Sequence, residues 1–428
     1  MMRHYTPTQE NDEIDHPPFA IFGEDFARKT RQCVSCNLCR QFCPVFPQLF
    51  TLLRQTARGA TQTGAEDFVK ILDQCWLCGR CELRCPGNLE FSRQVVRARL
   101  SNGNGAHPED RLLSRPQEIG RWGAPIAPLI NALLSNTSLR RWSEPITGVD
   151  HRAVPPRIQG QTFRQWFAAR NFRFRIADFG ISRPTIHNPQ SQIRNRRRVA
   201  YFAGCHVEFY GPSVGQAAVT VLERCGVEVV RPDFRCCGMP QIAAGDGARA
   251  EANARFNVEQ FARLVESGCE IVTTCSTCSL ALKYYYPELW PSPASRLLAE
   301  HTWDIFSYLK TLRDAGELNL DLRPQNLSVR YHYPCHARYQ RYGNNVIDVL
   351  RLIPGLKIDY AAMACCGMGG THGFKRRHYE QSQKQGVETF AFLERVKPDC
   401  VVTDCPMCDY RIGTGSGIMT RHPIELLI

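Results

Sequence analysis

The cysteines of this chain fall in a register that few folds can accommodate. CVSCNLCRQFCP carries Cys33, Cys36, Cys39 and Cys43 before Pro44, and CWLCGRCELRCP repeats the spacing with Cys75, Cys78, Cys81 and Cys85 before Pro86. Further on, RCCGMP and ACCGMG each set two adjacent cysteines before a glycine, Cys236 with Cys237 and Cys365 with Cys366, 129 residues apart. Adjacent cysteines cannot readily bridge each other, because a disulfide needs two Cβ atoms facing one another across a suitable gap. Thiols placed this way point to a shared inorganic partner. The fold must therefore bring several sulfur atoms to one point.

The doublets belong to a longer internal repeat. Cys205 answers to Cys335, Cys237 to Cys366 and Cys278 to Cys408, at intervals of 130, 129 and 130 residues. Self-similarity at a fixed interval means a duplicated structural unit. Short β-rich runs precede the cysteines: VAYFAGC, EIVTTC, SVRYHYPC and CVVTDC. Helical periodicity lies between them, with Val346, Val349, Leu350 and Ile353 stopped by Pro354 and Gly355, and Phe261, Leu264 and Val265 before Gly268. Alternating strands and helices predict two α/β units, with cysteines at the carboxyl ends of strands.

The chain is thus expected to combine α+β and α/β parts. Residues 20–100 form a mostly helical two-[4Fe-4S] ferredoxin-like domain, 101–198 a basic, aromatic-rich connector with amphipathic helices, and 199–325 and 326–428 the two duplicated α/β domains.

The N-terminal spacing is that of CxxCxxCxxxCP, in which three thiolates wrap one cluster and the fourth reaches the other. Cys33, Cys36, Cys39 and Cys85 would hold one [4Fe-4S] cluster, and Cys75, Cys78, Cys81 and Cys43 the second. Zinc is the competing reading, but zinc sites use paired CxxC separated by longer loops and need only four ligands.

The repeat has another grammar: Cys205, Cys236, Cys237, Cys275 and Cys278, then Cys335, Cys365, Cys366, Cys405 and Cys408. Five thiolates exceed what a cube or a tetrahedral zinc consumes, so an iron-sulfur centre of unusual shape is expected. Cys225, Cys269 and Cys400 are left over and expected to be buried apolar residues. His206 and His336, following the first cysteine of each copy, suggest hydrogen bonding around a cluster rather than ligation.

The five-cysteine sets resemble the CCG domains of the heterodisulfide reductase B-subunit family, which implies one or two further, non-cubane [4Fe-4S] clusters. The whole arrangement is similar to the C-subunit family of anaerobic glycerol-3-phosphate dehydrogenase and to the iron-sulfur subunit of glycolate oxidase. TFRQWF (162–167), CCGMPQIA (236–243), STCSLALKYYYPEL (276–289), LRLIPGLKI (350–358) and VVTDCPMC (401–408) carry that likeness. It implies an electron-transfer subunit, not catalytic alone, that takes electrons from an FAD-containing dehydrogenase subunit and delivers them to quinone. Iron-sulfur wiring for glycolate or lactate oxidation and disulfide reduction at the CCG clusters are the alternatives.

No GxGxxG follows a strand and no P-loop, serine elbow or HExxH occurs. The chain is therefore expected to carry no flavin of its own. The net charge of +12 concentrates in residues 140–198, where thirteen arginines face three acids. The stretch 119–142 sets Trp122, Ile126, Leu129, Ile130 and Leu133 along one face before Arg140 and Arg141, although Pro125 and Pro128 interrupt it; residues 163–176 interleave aromatics with arginine. Such faces suit an anionic membrane surface, while the competing reading has the helices packed on the clustered domains. A polar, acidic N-terminal segment and the lack of a long apolar run lead to the expectation of a cytoplasmic protein at the inner face of the inner membrane, with nucleic acid an unfavoured partner.

Overall fold

The computed structural model describes residues 38–41, 43, 45–57, 65–86, 90–101, 107–177, 197–359 and 364–428. They fall into two compact units. One takes the described residues before 107 together with Gln241–Gly247, and the other takes those of His107–Pro240 and Ala248–Ile428.

The regular structure among the described residues of the first unit is helical. Helices Val45–Ala57, Ala65–Asp73 and Phe91–Ser101 bury Phe46, Leu49, Phe50, Phe68, Leu72 and Phe91, with Phe46 and Phe91 ring centroids 4.6 Å apart. Each such side chain contributes about 1.5–3 kcal/mol by leaving water. The cysteine loop between these helices turns sharply. Gly79 takes φ +66° and the buried Leu77 takes φ +51°, a left-handed conformation that costs an ordinary L-residue about 1–2 kcal/mol.

In the second unit the described strands form two parallel four-stranded sheets. Strands β1 (Arg198–Tyr201), β2 (Glu228–Val230), β3 (Cys269–Thr273) and β4 (Thr302–Asp304) take the order β2-β1-β3-β4. Strands β5 (Ser328–Tyr331), β6 (Lys357–Asp359), β7 (Cys400–Val402) and β8 (Thr420–Arg421) repeat it as β6-β5-β7-β8. The central strands are buried on both faces, as parallel sheets require, with Ala200 opposite Ile271 and Arg330 opposite Val401. Helix Gly247–Glu266 turns Ala250, Ala254, Val258, Phe261 and Val265 inward at helical spacing and ends before Gly268 at φ +87°. In each sheet the chain runs outward from the first strand and returns to its other side. That reversal makes a switch point at the carboxyl ends of β1 and β3, and again at β5 and β7.

The helices from 107 to 177 belong to this same unit. Pro125 and Pro128 break the amphipathic stretch as the sequence suggests, giving Pro116–Gly123, a 3₁₀ turn Ala124–Ile126, Ala127–Ser135 and Thr137–Thr147. Helix Pro108–Leu113 is pinned by charge. Its buried Asp110 lies 2.6 Å from the Lys375 ammonium and 2.8 Å from the Arg377 guanidinium, which also pairs with Glu109. Buried pairs of this kind fix an arrangement more surely than they add stability. Helix Phe163–Ala177 packs its start inward, with Phe163 fully buried 5.6 Å from the Tyr201 ring and Arg170 paired with Glu223. Packing on the clustered domain therefore accounts for the first part of that aromatic and basic stretch.

Candidate metal centres

The first unit gathers Cys43, Cys75, Cys78 and Cys81 into one electrostatic neighbourhood. Burial, then the nearby Cys75, pushes the Cys43 thiol up to about 12, and burial pushes Cys75 up to about 11. Cys81 is raised well above its ordinary value by burial and then by Cys78 and Cys75. These four are the set in which the second motif borrows Cys43 from the first. Of the other expected set, Cys39 and Cys85 are half-buried, with the Cys39 sulfur 3.9 Å from the Cys81 carbonyl, while Cys33 and Cys36 lie outside the described residues.

One arginine organises this loop. Arg99 donates to the carbonyls of Leu72, Asp73 and Cys75 at 2.7, 2.9 and 2.6 Å. It thereby closes the end of helix Ala65–Asp73 and holds the chain entering the second motif. Its charge also favours the Cys75 thiolate.

In the second unit both five-cysteine sets assemble at the switch points. Cys205 follows β1 and Cys275 follows β3; Cys335 follows β5 and Cys405 follows β7. The doublets enter from loops: the Cys205 and Cys236 sulfurs stand 4.0 Å apart, and those of Cys366 and Cys408 stand 3.3 Å apart. The described cysteines are thiols rather than disulfides.

The electrostatics of these pockets are those of thiols crowded together. Hydrogen bonding to Cys236 and burial raise Cys205; bonding to Cys237 and Cys275 and burial raise Cys278. In the second copy bonding to Cys366 and burial raise Cys365 and Cys408, while Cys366 itself is pulled well down by hydrogen bonds from Cys365 and Cys408. Several thiolates cannot share so small a dry space without a positive core between them. A soft, all-sulfur donor set around such a core fits iron-sulfur chemistry. Cys205, Cys236, Cys237, Cys275 and Cys278 would hold one group and Cys335, Cys365, Cys366, Cys405 and Cys408 the other, each group supplying one-electron acceptance when bound.

Some supporting residues carry no sequence signal. The Gln117 side chain, from the connector, accepts from the Cys236 N–H at 2.6 Å and donates to the Phe234 carbonyl at 3.2 Å. Asn257 accepts from the Arg235 N–H at 2.7 Å and donates to its carbonyl at 3.0 Å. Together they fix the first doublet's backbone. In the second copy Ser382 donates to the Gly367 carbonyl at 2.6 Å and Thr389 to the Cys365 carbonyl at 2.9 Å. The copies meet across their last motifs: the Ser276 N–H donates to the Asp404 carbonyl at 3.1 Å, and His422 Nε2 lies 2.7 Å from the Thr274 carbonyl.

The histidines beside the first cysteines have different settings. His336 pairs through Nδ1 with the Thr277 hydroxyl at 2.9 Å, across the repeat. His206 stacks on Tyr210, and burial pulls it down to about 4. Cys269 and Cys400 are buried in their strands as expected, whereas Cys225 is only half-buried, because it ends helix Pro212–Arg224 at the surface. Between the copies a cavity of ≈ 380 Å³ opens beside Cys275, lined among others by His206, Tyr210, Asp409, Arg421 and His422.

Known proteins share these features. A profile described as a 4Fe-4S dicluster domain matches residues 29–89, and one described as a cysteine-rich domain matches twice, at 199–283 and 329–413. Over 409 residues the chain is 30% identical to the C-subunit of the anaerobic glycerol-3-phosphate dehydrogenase of Escherichia coli (strain K12), a match covering 92% of this chain and 97% of that one. It is 28% identical over 417 residues to the B-subunit of the fumarate reductase (CoM/CoB) of Methanothermobacter marburgensis, covering 92% of this chain and 70% of that one. A shorter likeness, 28% over 246 residues, joins 54% of the chain to 96% of the lactate utilization protein A of Halalkalibacterium halodurans.

Proposed function

Because the chain belongs to the family of the anaerobic glycerol-3-phosphate dehydrogenase C-subunit, we propose that it is the electron-transfer subunit of a membrane-associated dehydrogenase. It takes electrons from a partner flavoprotein that oxidises sn-glycerol 3-phosphate and passes them to a quinone. The observation that carries this reading is that both five-cysteine sets are complete and both are gathered at strand ends in one unit. Clusters there and in the N-terminal module would give a chain of one-electron stations. The cavity beside Cys275 supports delivery to a small acceptor at the first of these sets.

Reduced anaerobically, the purified chain should hold about sixteen irons, four clusters of four, and be reoxidised by a soluble quinone. About eight irons would confine the wiring to the N-terminal module. Reoxidation by a disulfide and not by a quinone would replace the acceptor.

The same reading places the protein on the cytoplasmic face of the inner membrane. Among the described residues no helix is long and apolar enough to cross a membrane. Helices Pro116–Gly123, Ala127–Ser135 and Thr137–Thr147 nevertheless leave Trp122 77% exposed and Trp142 74% exposed, with Ile126, Leu129, Leu133 and Ile146 also bare and Arg121 and Arg141 exposed beside them. Apolar and cationic side chains on one set of helices suit an anionic interface. The triple variant Trp122→Glu, Leu129→Glu, Trp142→Glu should lose flotation with vesicles of anionic lipid while keeping its iron. Undiminished flotation would remove the membrane from this reading.

A further inference from the structure

The duplicated sites are not chemically equal. Position 202, directly after β1, is Phe202, and its counterpart 130 residues on, directly after β5, is His332. Phe202 is fully buried among other rings, 5.2 Å from Phe234 and 5.5 Å from Phe261 between centroids. A Cβ on Gly204 would sit 3.8 Å from this ring and 3.0 Å from the Cys278 sulfur, so the wall beside the first thiol set is hydrocarbon.

His332 is equally inaccessible, at 2% exposure, and its backbone N–H donates to the Val402 carbonyl at 2.9 Å. Its ring, however, stands among sulfur atoms. One ring nitrogen and the thiol sulfurs of Cys366 and Cys408 all lie within 4.8 Å of one another. His332 Nδ1 is buried with no hydrogen-bond partner among the described residues. His332 is nonetheless among the groups that hydrogen-bond to Cys366 and pull its thiol down, after Cys365, Cys408 and the opposing effect of burial. The group the imidazole faces is thus the second thiol set.

We propose that His332 is a nitrogen ligand of the second centre, joining Cys335, Cys365, Cys366, Cys405 and Cys408, so that the two copies hold chemically distinct groups: sulfur-only in the first, mixed nitrogen and sulfur in the second. The inference rests on the reading that this set holds an iron-sulfur group.

The test needs no activity measurement. Protein grown with ¹⁵N-histidine and with natural histidine is reduced stepwise without oxygen and followed by pulsed spin-resonance. One signal of the two assigned to these sets should show a coupling that changes with the nitrogen isotope. In His332→Phe, which installs the residue of the first copy, the coupling should vanish while the N-terminal signals persist. If that variant fails to fold, the isotope comparison on the unmodified chain still decides. Iron for both sets with no isotope-sensitive signal overturns the ligand assignment and leaves the proposed function standing. Iron sufficient only for the N-terminal module overturns both.

Discussion

Replacing Gly367 by alanine is expected to disable the second thiol site, whereas the same change at Gly238, its counterpart in the first copy, should be tolerated far better. Both glycines follow their cysteine doublets in the left-handed region, at φ +87° and +92°. An L side chain there costs about 1–2 kcal/mol at either place. The surroundings separate them. A Cβ on Gly367 would lie 2.4 Å from the Ser382 carbonyl oxygen and 2.9 Å from the Gly386 nitrogen, both backbone atoms of helix Tyr379–Val396. A Cβ on Gly238 would find nothing nearer than the Ala250 carbonyl oxygen at 3.7 Å.

Relieving the overlap at Gly367 means moving a helix away from the loop, at a further cost of about 1–3 kcal/mol by analogy with overpacked cores. It would also break the bond from Ser382 to the Gly367 carbonyl. Gly367→Ala should therefore lower the urea midpoint by an amount corresponding to about 2–5 kcal/mol and cost roughly one cluster's iron, whereas Gly238→Ala should lose about 1–2 kcal/mol and keep it. Equal losses at the two positions would show that the tight approach to the helix does not matter.

This asymmetry was not visible in the sequence, where both loops read CCGM. What could be read was the part written in residue type and spacing. The thiol positions, the 130-residue interval, the strands that lead into the cysteines and the helix that ends before Gly268 all reflect local chemistry or local backbone preference, whereas the helix expected to run to Pro354 stops at Leu350. The edge strands β2, β4, β6 and β8, two or three residues each, were not legible, because so short a run has no period of its own and is a strand only by virtue of its neighbour. Gln117, Asn257 and Thr389 were missed for a related reason: a glutamine 119 residues before the backbone N–H it accepts from has no local mark. His332 did carry a signal. Aligning the copies sets it against Phe202, and a histidine replacing a buried phenylalanine at the mouth of a thiol site was open to notice.

Duplication also leaves a trace in the pH dependence of stability, through Asp304 at the end of β4. Its side chain accepts from the Ser307 N–H at 2.9 Å and so caps helix Ile305–Asp314. Burial nonetheless pushes its carboxyl up to about 7, against that hydrogen bond, with Asp404 adding to the rise and Lys283 opposing it. The unfolded chain ionises the same group near 3.9. The folded state thus binds this proton more tightly, so the group's contribution to stability is complete below about pH 4 and is lost as pH rises through 7.

Asp304→Asn keeps the capping acceptor, since asparagine caps as well as aspartate, and never ionises. Near pH 4 the variant and its parent should unfold at the same urea concentration. The variant's advantage should then grow by about 1.4 kcal/mol per pH unit toward pH 7 and level off at about 3–4 kcal/mol, an upper figure for a site that can relax. Urea midpoints of both proteins, measured without oxygen from pH 4 to 8.5, decide the matter. A constant gap across that range would mean that the carboxylate at the end of β4 is paired or hydrated well enough to stay charged throughout.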